Sequence, residues 1–261
     1  MVLTTFTSCI STKSLFKHEV ENRFKELQDT ARLITKSDLD KLPEPIANFL
    51  EHCGWLGKEI PLNFHAKFSG EFSMKEGKYQ KIHAEQYNWL DEPTRIFHIQ
   101  NWMMGGRHHF DKNGAFMLIK LFKRIKLVNA KGPEMNQSEL VTYLNDLFIL
   151  APGALVYIPI QWEILNEQKV KATISYFGNT VSAEVSFNKN HEMVNFISID
   201  RYASSDGKKT ELLPWSTPIR NYVELNGIKV PTYGEAIWHF PDHDFNYIKF
   251  NIKEVSWNTK K

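Results

Sequence analysis

The sequence predicts an α+β protein that is mainly β: a curved, half-barrel-like antiparallel sheet wrapping one central helix, with a helical lead-in at the N-terminus. Three observations predict it. Most of the chain after residue 60 alternates apolar and polar side chains, the period of a strand with one buried face. Turn-forming pairs such as Asn113-Gly114 and Asn226-Gly227 punctuate those runs. One stretch breaks the alternation: Leu140, Tyr143, Leu144, Leu147, Leu150 and Ala151 recur at helical spacing, and Val141, Phe148 and Ile149 widen the apolar stripe. A single helix apolar on more than one side, among many strands, must be wrapped by the sheet.

That helix is expected over 136–151. Asn136 suits the first-turn cap with Glu139 three residues on to answer it, and Pro152-Gly153 stops the helix. Ahead of the sheet, Leu15, Phe16, Val20, Phe24, Leu27, Ala31 and Ile34 space as an amphipathic helix over roughly 14–35. Ser37 then caps a short helix to Leu42, and Pro45 opens a third that Gly54 ends. The expected division is a lead-in over 1–60 and a curved β domain over 61–261.

Strands follow in order. Phe64, Ala66, Phe68, Gly70, Phe72 and Met74 alternate with polar residues, and 78–90 returns from a turn at Glu76-Gly77. Arg95 to Met104 runs back, and Gly105-Gly106 is expected to break or bulge it. Arg107 to Phe110 leads to the Asn113-Gly114 turn, and 115–128 reads as one strand. Beyond the helix, strands are expected at 169–177, 180–187, 193–202, 219–225, 232–240 and 245–257, with Ser204–Gly207 as one turn. Roughly ten strands in sequential hairpins cannot stay flat, so the sheet should curl.

Composition narrows the function classes. Eighteen Phe, nine Tyr and seven Trp supply a core and leave aromatics for a cavity lining. The 32 basic residues are nearly cancelled by 30 acidic ones, so no nucleic-acid partner is indicated. The basic run Lys120, Lys123, Arg124 and Lys126 reads as a solvated strand face. Cys9 and Cys53 alone make neither a disulfide framework nor a zinc site. No apolar run is long enough to span a membrane. The start M-V-L-T-T-F-T-S-C has the outline of a lipoprotein cleavage site before Cys9 but lacks a basic leader and an apolar segment. It reads as an ordinary N-terminus or one that has lost an upstream segment, and the compartment stays open.

No nucleophile elbow, phosphate loop or paired-cysteine motif is present, so no catalytic residue and no cofactor is assigned. His239 and His243 with Asp242 and Asp244 look like metal ligands, but Pro241 between them makes a hairpin turn. His108 and His109 are adjacent and point to opposite strand faces, leaving His109 and Asp111 as one pair, too few for a closed metal site. Asp146, beside the helix stripe, and Arg201, sharing a strand face with Ile197 and Ile199, are the expected inward ion pair. Trp162, Trp215, Tyr222 and Trp238 are the aromatics assigned with them to a ligand cavity.

An ordered set of fragments resembles a family of bacterial proteins of unknown function. It comprises Leu42-Pro43-Glu44-Pro45, Gly132-Pro133, Ser138-Glu139-Leu140 with Tyr143-Leu144 and Asp146, then Pro152 and Trp162. Arg201-Tyr202, Pro214-Trp215, Tyr222, Asn226 to Pro231 and Trp238 complete it. Asp146 stands where the family pattern has Glu, and Thr142 where a basic residue is common. The architecture that the resemblance implies is similar to lipoprotein-carrier half barrels, a curved sheet around helices and an apolar cavity. The expected function is therefore non-enzymatic binding of a hydrophobic or amphipathic ligand, such as a lipid, compatible with peripheral membrane association. The alternatives are an enzyme built on a polar cluster around Asp146 and Arg201, and a module that docks a protein partner.

Overall fold

The computed structural model of the chain describes residues 11–25, 32–122, 125–203 and 210–260. The helices are α1 (Thr12–Phe24), α2 (Lys36–Leu39), α3 (Glu44–His52) and α4 (Pro133–Leu150). The first block of strands is β1 (Asn63–Phe72), β2 (Gln80–Trp89), β3 (Thr94–Gln100), β4 (Met104–Asp111), β5 (Gly114–Leu121) and β6 (Ile125–Lys131). After α4 come β7 (Gln161–Asn166), β8 (Lys169–Tyr176), β9 (Asn179–Phe187), β10 (Met193–Ala203), β11 (Glu211–Ser216), β12 (Ile219–Leu225), β13 (Ile228–His239) and β14 (Asp244–Trp257).

All fourteen strands form one antiparallel sheet in the order β6-β5-β4-β3-β2-β1-β14-β13-β11-β10-β9-β8-β7, with β12 attached to β13. The chain builds one limb, crosses by way of α4 to the far edge, and builds back to the middle. The end strands β6 and β7 do not pair, so the sheet is a curved half barrel and not a closed one. Helix α4 lies within the curve, touching β9 and β10 on one limb and β4, β5 and β6 on the other. Tyr143 spans the gap, with its ring centroid 6.4 Å from both Phe110 of β4 and Tyr176 of β8. Every residue of α4 from Ser138 to Leu150 is buried. This is the helix wrapped by a sheet that the wide apolar stripe requires. Among the described residues, no helix is long and apolar enough to cross a membrane.

The two limbs share one core. Ile34, Leu39, Ile46, Phe49, Leu50 and Trp55 from the lead-in belong to the same apolar cluster as Leu140, Leu144 and Leu147 of α4. A smaller cluster lies on the outer face, where Phe16 and Val20 of α1 pack on Trp89 and Ile96.

Several boundaries differ from expectation for identifiable reasons. Helix α4 starts three residues early because Pro133 occupies its first turn, where a missing N–H costs nothing. Asn136 is therefore inside the helix, and its side-chain oxygen accepts from the Ala115 N–H at 2.7 Å instead of capping. Thr35, not Ser37, precedes α2, its N–H and hydroxyl both donating to Asp38. Helix α1 ends at Phe24, and Leu33 forms an isolated bridge with Glu59, so no helix reaches 35; Leu27 and Ala31 lie outside the described residues. The turn after β3 is at 101–103, because the Asn101 side chain accepts from the Met103 and Met104 N–H groups. Gly105 and Gly106 are inside β4; a Cβ on Gly105 would come within 2.5 Å of the Thr12 hydroxyl of α1, so this glycine admits the helix. The run 115–128 is split at Phe122, and β7 and β11 are strands beyond those the alternation predicts. The Ser204–Gly207 turn lies outside the described residues.

Asn226 and Gly227 join β12 to β13 with φ of 54° and 74°, the two-residue turn their sequence predicts. Gly227→Val should lower stability by about 1 kcal/mol or more, because a β-branched side chain resists positive φ. An unchanged urea midpoint would contradict this.

Docking of α1 carries a pH dependence. His109 lies 3.1 Å from Asp111 and 3.7 Å from Glu19 of α1, and Arg107 pairs with Glu19 at 2.6 Å. Burial opposes charge on His109, but the two carboxylates outweigh it and hold the imidazole protonated up to about 9. Its folded pKa is thus above the ordinary value near 6.5, so its stabilisation is complete below about 6.5 and is lost as pH rises through about 9. The thermal midpoint should fall over that window, and His109→Gln should flatten the profile.

Candidate functional site

Helix α4 presents two adjacent polar stripes inside an otherwise apolar environment. Glu139 and Asp146, two turns apart, face β2, β3 and β4. Ser138, Thr142 and Asn145 face β10 and the residues after β11. Both follow from the i, i+3/i+4, i+7 spacing of side chains on one helix face.

The first stripe closes a buried network. Arg95 of β3 donates its Nε to Asp146 at 2.8 Å and a terminal nitrogen to Glu139 at 3.0 Å. Gln86 and Asn88 of β2 also donate to Asp146, at 2.6 and 3.3 Å, and His108 of β4 hydrogen-bonds the other Glu139 oxygen at 3.1 Å. Asn88 lies opposite Arg95 in the β2–β3 hairpin, so one register brings both to the helix. Burial raises both acids. For Glu139, Arg95 and His108 overcome it and hold the carboxyl at about 2. Asp146 shares the same guanidinium, and burial leaves it above its ordinary value. Helix packing closes this network from solvent, so it pins α4 to the sheet.

The second stripe meets Arg201. The guanidinium donates to the Thr142 hydroxyl at 3.3 Å and to the Tyr247 hydroxyl at 3.4 Å. It stacks over Trp215 at 4.4 Å and over Trp238 at 5.0 Å. Among the described residues, no carboxylate comes within ion-pair distance of it. Tyr247 also receives the Trp215 indole N–H at 3.2 Å and packs its ring on Trp238 and Phe72.

The expected Asp146–Arg201 pair is thus not formed: Asp146 is taken by Arg95, and Arg201 by aromatic rings. Arg201 does point toward the helix, but not because it shares a face with Ile197 and Ile199, the latter being 63 % exposed. A β-bulge between Ser198 and Arg201 flips the alternation, so Phe196 and Ser198 face inward before it and Arg201 after it. Of the six residues assigned to a cavity, Arg201, Trp215 and Trp238 come together. Trp162 packs edge-on to Phe148 near β7, and the Tyr222 hydroxyl donates to the Met193 carbonyl. Both lie apart from Arg201.

Beyond the end of α4's cover, the concave face of the sheet is apolar, with Ile119, Ile99 and Phe68 half-buried and Gly106, Ala84 and Ile252 buried. Ile119, Gly106, Ile99, Ala84, Phe68 and Ile252 form one continuous row across β5, β4, β3, β2, β1 and β14. Phe72, Tyr247, Ile248 and Phe250 extend it toward Trp238 and Arg201. The Phe250 ring occupies the space that a side chain on Gly234 would need. This trough is what a curved sheet leaves when its helix fills only part of the concavity.

Other candidates are engaged elsewhere. His239 bonds Ser216 and Asp244, and His243 bonds Asp242, in the turn the sequence predicts. Among the described residues, no group of three or more metal-binding side chains converges. Burial pushes the Cys53 thiol up to about 12, which removes it as a nucleophile.

Residues 32–250 match a family of unknown function, DUF6544. The chain belongs to this family. The match agrees with the resemblance carried by the fragments from Leu42 onward. No curated protein matches the chain. Among solved structures, this DUF6544 chain is similar to the LolA superfamily protein NE2245 from Nitrosomonas europaea. That likeness has a TM-score of 0.45 at 10% identity over 82% of this chain and 93% of that one. It is also similar to a putative outer membrane lipoprotein-sorting protein domain from Vibrio parahaemolyticus, with a TM-score of 0.43 at 12% identity over 76% and 86%.

Proposed function

We propose that this DUF6544 protein binds an amphipathic ligand without transforming it. The ligand's apolar chain lies in the concave trough along Ile99, Phe68 and Phe250, and its anionic end meets Arg201. The observation that carries this reading is Arg201 itself. A half-buried guanidinium with two long hydrogen bonds and, among the described residues, no carboxylate within ion-pair distance has donors left for a ligand. A ligand carboxylate or phosphate would complete it with paired, charge-assisted bonds. Trp215 and Trp238 hold the guanidinium plane in place, and Phe72, Tyr247 and Phe250 continue the surface as apolar area. Binding is favoured over reaction because the buried carboxyl groups of α4, Glu139 and Asp146, are committed to Arg95.

Native mass spectrometry of the purified protein tests this. The wild type should carry an anionic amphiphile, or take one up from added long-chain fatty acid, and folded Arg201→Met should take up roughly tenfold less. A wild-type protein that stays bare in excess fatty acid would refute the reading.

A further inference from the structure

We propose that the tip formed by Trp102 of the β3–β4 turn and Phe122 of the β5–β6 turn inserts into the surface of an anionic lipid bilayer. Trp102, in the first turn, is 84 % exposed, and Phe122, in the second, is 56 % exposed, with their ring centroids 6.4 Å apart. Ile125 and Leu127 of β6, which is the edge strand at this corner, add further exposed apolar area. Folding does not reward these exposures, since burying such rings is normally a main source of stability.

The tip is built, not loose. The Asn101 side chain accepts from the Met103 and Met104 N–H groups at 2.8 and 2.6 Å. The Phe122 N–H donates to the Met103 carbonyl at 2.8 Å and ties the two turns together. Phe122 adopts φ of 46°, a left-handed conformation that a bulky residue takes at a cost. That conformation presents its ring beside Trp102 and away from the core.

Charge identifies the occupant as a membrane and not an apolar protein surface. Lys120 and Lys126 stand opposite one another across β5 and β6, one step behind the aromatic tip. Aromatic rings at the depth of lipid headgroups with lysines just behind them make an interfacial anchor, and the lysines select anionic lipid. The tip is also continuous with the trough: Met104 pairs with Leu121, and Leu121 with Ile125, beside the row that begins at Ile119. The inference rests on different residues from the Arg201 reading and stands or falls separately.

Flotation with ligand-free vesicles of phosphatidylcholine and phosphatidylglycerol tests it. Wild-type protein should float with these vesicles, and more weakly with phosphatidylcholine alone. The double variant Trp102→Ser/Phe122→Asn should lose roughly tenfold in partitioning with a thermal midpoint no lower than wild type, because the rings removed are exposed and Asn tolerates the left-handed φ at 122. Lys126→Glu should weaken binding to the anionic vesicles alone. Arg201→Met should float like wild type, which separates this test from that of the trough. Failure of the wild type to float, or flotation of the double variant at the wild-type level, would overturn the proposal. So would a wild-type dimer that becomes monomeric in the double variant without any vesicle binding, which would assign the tip to self-association.

Discussion

Arg95→Met should destabilise the protein by about 3–5 kcal/mol, a large share of the stability of any single domain. The guanidinium is the shared cation of Glu139 and Asp146, at 3.0 and 2.8 Å, and Glu139 is 1 % exposed. Removing it leaves two buried carboxyl groups with amide donors and one histidine. Glu139 would then lose the interaction that holds it at about 2, and burial would drive it toward the neutral form. The triple variant Arg95→Met, Glu139→Gln, Asp146→Asn should recover much of the loss, since a neutral set of similar shape leaves no charge unpaired. Urea denaturation measures both, and an Arg95→Met midpoint equal to wild type would show that the network is not what seats α4.

Leu147→Ala should cost about 2–5 kcal/mol. Leu147 is fully buried on the apolar side of α4, in the cluster that joins the lead-in, the helix and both limbs of the sheet. Truncation loses the transfer free energy of the removed carbons and leaves a void that packed neighbours from several elements cannot fill together. The loss should appear as a lower denaturation midpoint with an unchanged slope. An unaffected midpoint would mean that the helix is peripheral.

The architecture was legible because its signals are periodic. Alternation from Phe64 to Phe72, the Asn-Gly turns, and the stripe from Leu140 to Leu150 each depend on local spacing. What escaped depends on pairing between distant strands. Ser198 and Arg201 lie either side of a bulge that is defined only by the partner strand β11, so simple alternation assigned Ile197 and Ile199 to the wrong face. Arg95 was invisible as the partner of Asp146 because its role comes from lying opposite Asn88 with α4 above. A signal did exist on the helix: Glu139 and Asp146 recur at i and i+7, and Ser138, Thr142 and Asn145 at i, i+4 and i+7, two polar stripes inside an apolar helix, which must find buried partners. Reading Glu139 as half of a capping box concealed it. The split at Phe122 was equally hidden, since nothing in the residue type announces a left-handed phenylalanine. Trp215 and Trp238 lie beside Arg201 because β11 and β13 pair at those residues, whereas Trp162 and Tyr222 pack elsewhere; an aromatic surplus in the composition does not say which rings meet.

The central claim is that Arg201 receives the charged end of an amphiphile whose chain lies in the trough. Its most direct measurement compares the affinities of a long-chain fatty acid and the corresponding uncharged alcohol for wild type and for Arg201→Met. A charge-assisted hydrogen bond contributes about 1.5–3 kcal/mol, so wild type should prefer the acid by roughly tenfold or more, and Arg201→Met should lose that preference while still binding the alcohol. Equal affinity of the wild type for acid and alcohol, or a preference for the acid that survives in Arg201→Met, would contradict the account.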